Sequence, residues 1–356
     1  MSEIRIAFWN LQNLFDITAS EIAADLGFTP AAGWTQEVFD KKLANLAEVI
    51  NLMHSGQKPD LLGVCEIENK GVVEELTNAI DRDDYEIAHV ESLDIRGIDT
   101  SLIYSRDVFE LAGDPIGHLI HLRYPTRDIF EVPLRVKQNG AELTVFVSHW
   151  PSRRKGAYES EPFRLTVASH CGQLVDRVVK YPRTEFLALP DTEASLARLN
   201  NQWNRNILLM GDFNDEPFNR SILDFLRASS GVDHLEEGIK KSRGLNIPSA
   251  KTYLEKQPYL FNCMWPLLGV PDEGTYHFAE STNTMNMLDQ FIVSRGLFFG
   301  FQGLKINVES VEIFKPDIMT TKEKKRPRKF EFNEEGVKSN GYSDHFPIQA
   351  IIETLW

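Results

Sequence analysis

Short apolar runs that end in polar residues recur along the chain. Runs of this length, bounded by Gly, Pro, Asn or Asp, are typical of strands that are buried on both faces. Strands are therefore predicted at residues 4–9, 60–65, 85–90, 101–104, 130–136, 143–148, 207–210, 290–294 and 348–352.

Other segments carry apolar residues at the three- and four-residue spacing of an amphipathic helix. This spacing predicts helices over residues 39–53, 72–80 and 163–179, and a short helix over 223–228. Residues 182–204 are expected to form an exposed linker or loop. The mixture of strands and helices predicts an α/β fold.

The polar residues near the strand ends have the chemistry of a hydrolytic metal site. Carboxylate and carboxamide oxygens are the ligands that Mg²⁺ prefers, and His and Asp side chains move protons. The residues placed in this way are Asn10, Glu66, Asp99, His149, Asp212, Asn214, Asp289, Asp344 and His345. A structural alternative exists for such positions, because residues 211–214 also have the sequence of an ordinary Asx turn.

The order of these motifs resembles the endonuclease/exonuclease/phosphatase superfamily, which contains the deoxyribonuclease I-like enzymes. The matching segments are residues 8–10, 59–66, 99–104, 148–150, 211–215, 288–293 and 343–347. The resemblance implies one domain over residues 1–356, folded as a four-layer α/β/β/α sandwich. Loop insertions are expected near residues 240–276 and 315–338.

The resemblance also implies a metal site at the strand ends. Asn10, Glu66 and Asp344 are expected to hold Mg²⁺, with Mn²⁺ or Ca²⁺ as alternatives. The structural alternatives are a turn role for Asn10 and a salt bridge from Glu66 to an arginine such as Arg96.

Asp212 is expected to align or deprotonate the attacking water, and Asn214 to donate a hydrogen bond to the phosphate. His345 is expected to contact the scissile phosphate. Asp289 would accept a hydrogen bond from the other ring nitrogen of His345 and raise its pKa.

A second histidine, His149, is expected to contact the phosphate or the leaving group, with Asp99 as its acidic partner. Nuclease members of the superfamily can carry Glu at the position of Asp99. The shorter Asp side chain therefore leaves direct pairing with His149 open.

Several residues near these motifs are candidates for binding the substrate. Arg96 and Arg153 could clamp phosphate oxygens through their guanidinium groups, with solvation at the surface as the alternative. Trp150 could line the substrate or pack in the core. The basic residues between positions 322 and 329 could steer an anionic substrate or form a solvated hairpin.

Composition limits the choice of partners. The formal net charge of −14 argues against tight, indiscriminate binding to long nucleic acid, whose affinity depends on neutralised phosphates. The three Cys residues are widely separated, which disfavours a disulfide framework. The chain shows no signal peptide and no apolar run of membrane-spanning length, so a cytoplasmic protein without a membrane partner or an obligate protein partner is expected.

These features together predict a metal-dependent phosphoester hydrolase. A nuclease or phosphodiesterase is the leading hypothesis, with a phosphoester as substrate and nucleic acid among the candidates. A phosphomonoesterase acting on inositol phosphates or nucleotides is the first alternative. A catalytically inactive binding module is the second, and the presence of Glu66, Asp212, Asn214, Asp289 and His345 together argues against it.

Overall fold

A computed structural model describes residues 2–18, 27–94, 96–123, 126–154, 156–242, 245–278, 284–322 and 325–355. Lys324, one of the basic residues singled out above, lies outside these ranges. No helix within the described ranges is both long enough and apolar enough to span a lipid bilayer.

The strands are numbered in chain order. They are β1 (Glu3–Leu14), β2 (Leu61–Ile67), β3 (Tyr85–His89), β4 (Asp99–Ser105), β5 (Phe109–Leu111), β6 (Ile116–His118), β7 (Ile129–Val136), β8 (Glu142–His149), β9 (Asn206–Asp212), β10 (Ala228–Ser229), β11 (Ile239–Ser242), β12 (Leu245–Pro248), β13 (Leu260–Asn262), β14 (Tyr276–Phe278), β15 (Thr284–Asn286), β16 (Asp289–Val293), β17 (Leu304–Ile313), β18 (Glu331–Asn333), β19 (Gly336–Ser339) and β20 (Ile348–Thr354).

The helices are numbered in the same way. They are α1 (Gln36–Leu52), α2 (Lys70–Ala79), α3 (Ala157–Val179), α4 (Arg183–Ala188), α5 (Glu193–Trp203), α6 (Val232–Leu235), α7 (Ala250–Glu255) and α8 (Arg295–Phe299). Short 3₁₀ turns span Pro30–Ala32, Met53–Gly56, Trp265–Gly269 and Asp317–Met319, and Ser221–Phe225 forms a π-helical turn.

Two large sheets form the centre of the fold. The first has the strand order β17-β20-β1-β2-β4-β3, and the second has the order β10-β13-β16-β9-β8-β7-β5, with β6 paired to β7. Most neighbours are antiparallel, but β1 and β2 are parallel, as are β8 and β9 and the short pair β10 and β13. The first two pairs bring the carboxyl ends of β1, β2, β8 and β9 to matching edges of their sheets.

Alternation along β9 shows how the two sheets pack. Leu208 and Met210 belong to the core cluster that includes residues of the first sheet, whereas Ile207 and Leu209 belong to a second cluster with α3 and α5. Successive strand residues point to opposite faces, so β9 is buried on both sides. A Cβ atom at Gly63 of β2 would collide with Met210 Sδ, which shows how closely the sheets approach.

Helices cover the outer faces of both sheets. Helices α1 and α2 bury apolar residues such as Leu46 and Val73 against the first sheet. Helix α3 buries Val167 and Val175 against the second sheet, where α5 adds Trp203. The chain therefore has the α/β/β/α sandwich of the deoxyribonuclease I-like fold.

One sequence-based expectation about the fold is wrong. Residues 182–204 contain α4 and α5 rather than an exposed linker. The Thr192 side chain caps α5 by accepting a hydrogen bond from the Ser195 backbone N–H, and Leu199 and Trp203 are buried. Only a few apolar positions mark this helix, which is why its pattern is weak in the sequence.

The region from residue 240 to 276 is only partly an addition to the sandwich. Its strand β13 belongs to the second sheet, where Phe261 pairs with Val293 of β16. Tyr253 of α7 is 2% exposed and packs in the core with Trp203. The Pro, Gly and aromatic content of this segment therefore reflects core packing as well as surface loops.

Candidate active site

Strand register brings three of the candidate residues together at the end of β9. Asp212 is the last residue of β9 and pairs with His149 of β8 on one side and with Asp289 of β16 on the other. On the facing sheet, Asn10 of β1 pairs with Cys65 of β2, directly before Glu66. The sheets face each other, so the polar ends of both converge on one region.

Asp212 lies at the centre of this region. Its Oδ2 atom is 3.2 Å from Asn10 Nδ2, 3.7 Å from His149 Nε2 and 3.8 Å from His345 Nε2. The Asn214 backbone N–H donates to the other carboxylate oxygen, Oδ1, at 2.9 Å. Asp212 is 2% exposed, and burial raises the pKa of its carboxyl group, which makes it a better base near neutral pH.

The predicted hydrogen bond between His345 and Asp289 is confirmed. His345 Nδ1 and Asp289 Oδ2 are 2.7 Å apart, and both side chains are buried. Burial alone would lower the pKa of His345, but the carboxylates of Asp289 and Asp212 outweigh it and raise the pKa to about 10. His345 is therefore a buried cation near neutral pH, with Nε2 directed toward Asp212.

The C-terminal loop holds His345 in place through contacts with β1. Ser343 Oγ donates to the Asn10 carbonyl at 2.7 Å and accepts from the His345 backbone N–H at 3.1 Å. Trp9 Nε1 donates to the His345 carbonyl at 2.9 Å. Trp9 and Ser343 both lie in motifs that were recognised in the sequence, but no role was predicted for either side chain.

His149 has a different electrostatic environment. Burial, together with Arg127 and Arg96, lowers the pKa of His149 well below its usual value, so the ring is neutral. Its Nε2 atom is 3.8 Å from Glu66 Oε1, and Nδ1 has no hydrogen-bond partner among the described residues. A neutral imidazole can accept or donate one proton where a substrate oxygen approaches.

The expected pairing of His149 with Asp99 is wrong. Asp99 Oδ1 accepts from the Ser92 backbone N–H at 3.0 Å, and Asp99 Oδ2 is 3.7 Å from His89 Nε2. Asp99 opens β4, and the adjacent strand β3 ends at His89, which explains this contact. The Asp99 side chain therefore interacts with residues at the end of β3, in the first sheet, and not with His149.

Backbone strain accompanies the candidate metal ligand Glu66. Glu66 and Asn13 both have positive φ angles, 59° and 57°, which non-glycine residues rarely adopt. The ladder between β1 and β2 shifts register at this point. These bends direct the Asn13 backbone N–H to Glu66 Oε2, at 3.1 Å.

Glu66 and Asp344 fit a divalent-cation site. Within the described part of the chain, no hydrogen bond or ion pair within 4 Å reaches the Asp344 side chain. His149 Nε2 lies 3.8 Å from Glu66 Oε1, but the His149 ring is neutral and supplies no positive charge. Both carboxylates act electrostatically on Lys42 and on Tyr276, which places them in one neighbourhood. Partly buried carboxylates without a matching cation are the ligand chemistry that Mg²⁺ requires.

Two groups of His, Asp and Glu residues in the described part of the chain bring ligand atoms within 4.8 Å of one another, and neither includes Glu66 or Asp344. One contains His89, Glu91 and Asp99, and the other contains Asp212, Asp289 and His345. In the second group, the His345 ring is cationic and its Nδ1 is hydrogen-bonded to Asp289. The positive charge of this ring therefore offsets part of the negative charge of Asp289 and Asp212. We therefore favour the Glu66 region for a metal.

Lys42 is a site residue that the sequence reasoning missed. It projects from the buried face of α1, is 1% exposed, and donates to the Gln12 carbonyl at 2.6 Å. Burial lowers the pKa of Lys42 to about 7, although Asp344 and Glu66 raise it. The available signal was a Lys at a helical position flanked by core residues Phe39 and Leu46.

The loop after Asp212 is fixed by two arginines. Arg153 donates to the Asn214 carbonyl at 2.6 Å and to Asp215 Oδ1 at 3.0 Å. Arg164 of α3, fully enclosed in the protein, contacts Asp215 Oδ2 at 2.8 Å. Solvation at the surface, the alternative given for Arg153, is therefore wrong, because its Nε and Nη2 hold this loop; contact with a substrate phosphate stays a prediction.

Asn214 and Trp150 are linked through this loop. Asn214 Nδ2 donates to the Trp150 carbonyl at 3.0 Å, which uses one of its two amide hydrogens. The Trp150 ring is fully buried against Phe213, and its Nε1 donates to Ser148 Oγ. Trp150 belongs to the core and does not line the substrate, so that expectation is also wrong.

Arg96, Arg127 and Arg154 form the positive side of the site. Arg127 is buried and donates to the carbonyls of His149 and Trp150, at 3.1 and 2.7 Å. Arg96 Nη2 is buried and has no hydrogen-bond partner among the described residues. Arg154 is exposed, yet its charge acts on both His149 and Tyr276.

Gly211 sets the spacing between β8 and β9, and a Cβ atom there would collide with the Ser148 carbonyl oxygen. Gly211→Ala is expected to reduce the free energy of unfolding by about 1–3 kcal/mol or more, because overpacked cores must shift backbone. Urea denaturation followed by circular dichroism measures this loss. Gly269→Ala, where nothing lies within 4 Å, should change stability little, and an equal effect of both substitutions would contradict the prediction.

The fold is an α/β sandwich whose two sheets bring carboxylate and histidine side chains together at their facing strand ends. The chain belongs to the Endonuclease/Exonuclease/phosphatase family, whose model matches residues 5–354. No curated protein sequence matches the chain.

Solved structures show the same fold at low sequence identity. An endonuclease/exonuclease/phosphatase family protein from Bacteroides thetaiotaomicron is 14% identical, with a TM-score of 0.54 and 99% of both chains covered. A mannosyl-6-phosphatase from the same organism is 14% identical, with a TM-score of 0.51 and coverage of 99% of this chain and 100% of that one. D. rerio TDP2 in complex with a single-stranded DNA product is 10% identical, with a TM-score of 0.51 and the same coverage.

Proposed function

We propose that this chain is a Mg²⁺-dependent phosphodiesterase in which Asp212 deprotonates the attacking water. The observation that supports this most directly is the position of Asp212 Oδ2 among Asn10, His149 and His345, at 3.2, 3.7 and 3.8 Å. A water between these groups could donate its proton to the carboxylate while its oxygen attacks phosphorus.

Glu66, Asn10 and Asp344 would hold the cation. A bound Mg²⁺ would supply Lewis-acid stabilisation of the phosphate and of the leaving-group oxygen. Asn10 has a second function in this arrangement, since its amide donates to Asp212 Oδ2 and fixes the orientation of the base. Glu66 is held in turn by the Asn13 backbone N–H.

The remaining residues stabilise the phosphate. His345 is a preorganised cation whose Nε2–H can donate to a phosphate oxygen, where negative charge increases in the transition state. Neutral His149 lies on the Glu66 side of Asp212 and is suited to donate to the phosphate or to the leaving-group oxygen. The second amide N–H of Asn214 is available for another phosphate oxygen.

The experiment that tests this function compares hydrolysis of bis-p-nitrophenyl phosphate and p-nitrophenyl phosphate, with Mg²⁺ and with a chelator. We expect cleavage of the diester that stops on chelation and returns when Mg²⁺ is added. Glu66→Gln should raise the Mg²⁺ concentration for half-maximal rate at least about tenfold, whereas Glu75→Gln, on the exposed face of α2, should not.

Cleavage of the monoester alone would replace this proposal with a phosphomonoesterase. No cleavage of either ester, in protein that binds Mg²⁺ and is folded, would favour the inactive binding module. Activity that survives exhaustive chelation would exclude the metal-dependent mechanism.

Substitutions of the adjacent residues Arg154 and Arg153 are expected to have different effects, the first on substrate binding and the second on the stability of the protein. Arg154→Ala is expected to raise KM about tenfold without changing thermal stability, because its exposed guanidinium is free to contact phosphate. Arg153→Ala should lower the free energy of unfolding by about 1–3 kcal/mol, because Asp215 and the Asn214 carbonyl lose a buried donor. Steady-state kinetics and thermal denaturation of both variants measure these effects, and the reverse pattern would contradict the assignment.

A further inference from the structure

A pocket opens beside the catalytic edge, on the side of Glu66. It is lined by Gln12, Asn13 and Lys42 together with four aromatic residues, Phe28, Trp34, Phe330 and Phe332, and has a volume of about 250 Å³. Asn13 donates its backbone N–H to Glu66, and Lys42 lies in the field of Glu66 and Asp344. The pocket therefore lies beside the proposed metal site.

Aromatic rings form the wall of this pocket. Trp34 is 1% exposed and has the Phe332 ring at 4.8 Å and the Phe330 ring at 6.2 Å. The Phe28 ring lies 5.6 Å from that of Phe332. Trp34 and Phe330 are buried, while Phe332 and Phe28 are only half-buried, although one face of the Phe28 ring is stacked on Phe15 at 4.3 Å. Phe332 therefore offers the more accessible ring for stacking.

The geometry of the pocket is fixed by polar contacts from β1. Gln12 donates from Nε2 to the Phe330 carbonyl at 3.0 Å and accepts from the Phe330 backbone N–H at 3.2 Å. Gln12 and Asn13 both have positive φ angles, 55° and 57°. Two consecutive residues with positive φ place the Gln12 side chain on the aromatic segment and the Asn13 backbone N–H on Glu66, and such backbone strain is costly for a turn without a role.

The rim of the pocket is polar. Glu331 and Lys338 line the pocket and are exposed to solvent, and Lys338 Nζ lies 4.0 Å from Glu331 Oε2. No hydrogen bond reaches the Asn13 side-chain amide from the described residues. The rim thus offers donors and an acceptor around a stacking wall, which matches the polar edge of a heteroaromatic ring better than a plain hydrocarbon ring.

We propose that this pocket receives the base of a nucleotide phosphoester while the phosphate lies between Glu66 and His345. The volume lies just below the range of about 300–1,000 Å³ for sites that enclose a whole drug-sized ligand, which suits one ring system held at one end of a larger molecule. Stacking on aromatic side chains is tolerant of base identity. This inference rests on the proposed function, because it names the substrate class of the same site.

The test is calorimetric binding of three phosphate monoesters to the Mg²⁺-saturated protein, with no turnover required. The probes are thymidine 5′-monophosphate, 2-deoxyribose 5-phosphate, which lacks the base, and phenyl phosphate. We expect the nucleotide to bind about 5- to 150-fold more tightly than the sugar phosphate, the range for one stacked base.

Substitutions at Phe332 test whether the preference for the nucleotide arises in this pocket. Phe332→Ala should remove most of the preference for the nucleotide, and Phe332→Leu, which keeps an apolar side chain in the hairpin, should do the same. Val337→Ala is the matched control, because Val337 pairs with Phe332 across β18 and β19 but does not line the pocket. It should leave the preference unchanged.

Three outcomes would overturn the proposal: equal binding of the nucleotide and the sugar phosphate, a preference that survives both Phe332 substitutions, or phenyl phosphate binding as tightly as the nucleotide. The failure of the proposed function is a separate result. A base preference in a protein that hydrolyses no ester would remove the catalytic assignment and keep the pocket. Hydrolysis without a base preference would do the opposite.

Discussion

Asp212→Asn is expected to reduce kcat by about 10²- to 10⁴-fold, the usual cost of removing a positioned base. The amide has nearly the shape of the carboxylate and can still accept the Asn214 backbone N–H, but it cannot take a proton from water. The amide nitrogen then replaces Oδ2, which accepts a hydrogen bond from buried Asn10 Nδ2, so the free energy of unfolding is expected to fall by about 1–3 kcal/mol while the protein stays folded.

The control for this substitution is Asp224→Asn, since the Asp224 side chain is 62% exposed and lies outside the site. Hydrolysis of bis-p-nitrophenyl phosphate and thermal denaturation should be measured for both variants under identical Mg²⁺ concentrations. A turnover rate in Asp212→Asn within a few-fold of the wild-type value would show that another group deprotonates the water.

Asp289→Asn is expected to lower kcat more than it raises KM, and to move the alkaline limb of the pH–rate profile to lower pH. The reaction needs the cationic form of His345, which is present below its pKa of about 10 and is lost as the pH rises through that value. The Asp289 carboxylate is a main cause of this raised pKa. Without its charge the imidazolium loses its proton at lower pH.

The acid limb should move in the same direction. Asp289 also raises the pKa of Asp212, so its neutralisation makes Asp212 easier to ionise and extends the activity to lower pH. Asp114→Asn, at an exposed position, is the control. A profile that keeps both limbs while only substrate affinity falls would show that Asp289 does not tune His345.

Much of the fold could be predicted from the sequence because its strands are strongly patterned. The run Ile207–Met210 is continuously apolar, and Ile4–Trp9 is interrupted only by Arg5; β9 and β1 are the buried strands that they form. Helix α5 could not be predicted, because only Leu196, Leu199 and Trp203 mark its buried side. Short helices depend on tertiary contacts that a local pattern does not contain.

Site residues could be predicted from the sequence where a residue type suited to catalysis stands at the end of a predicted strand. The hydrogen bond of His345 to Asp289 follows from two motifs at facing strand ends. The partners of Asp99 and Arg153 did not follow, because the choice among neighbours a few ångströms apart is made by side-chain reach. The short Asp99 side chain contacts His89, and Arg153 holds Asp215.

The position of β9 affects how the protein would lose activity. This strand lies in the interior of the eight-stranded second sheet, with β10, β13 and β16 on one side and β8, β7, β5 and β6 on the other, and it is covered on both faces. Its amide hydrogens are therefore among those that exchange with solvent only when the whole molecule opens, whereas edge strands such as β5 and β10 can fray independently. Mild heating would loosen the periphery while Asp212 keeps its neighbours, so inactivation should coincide with global unfolding.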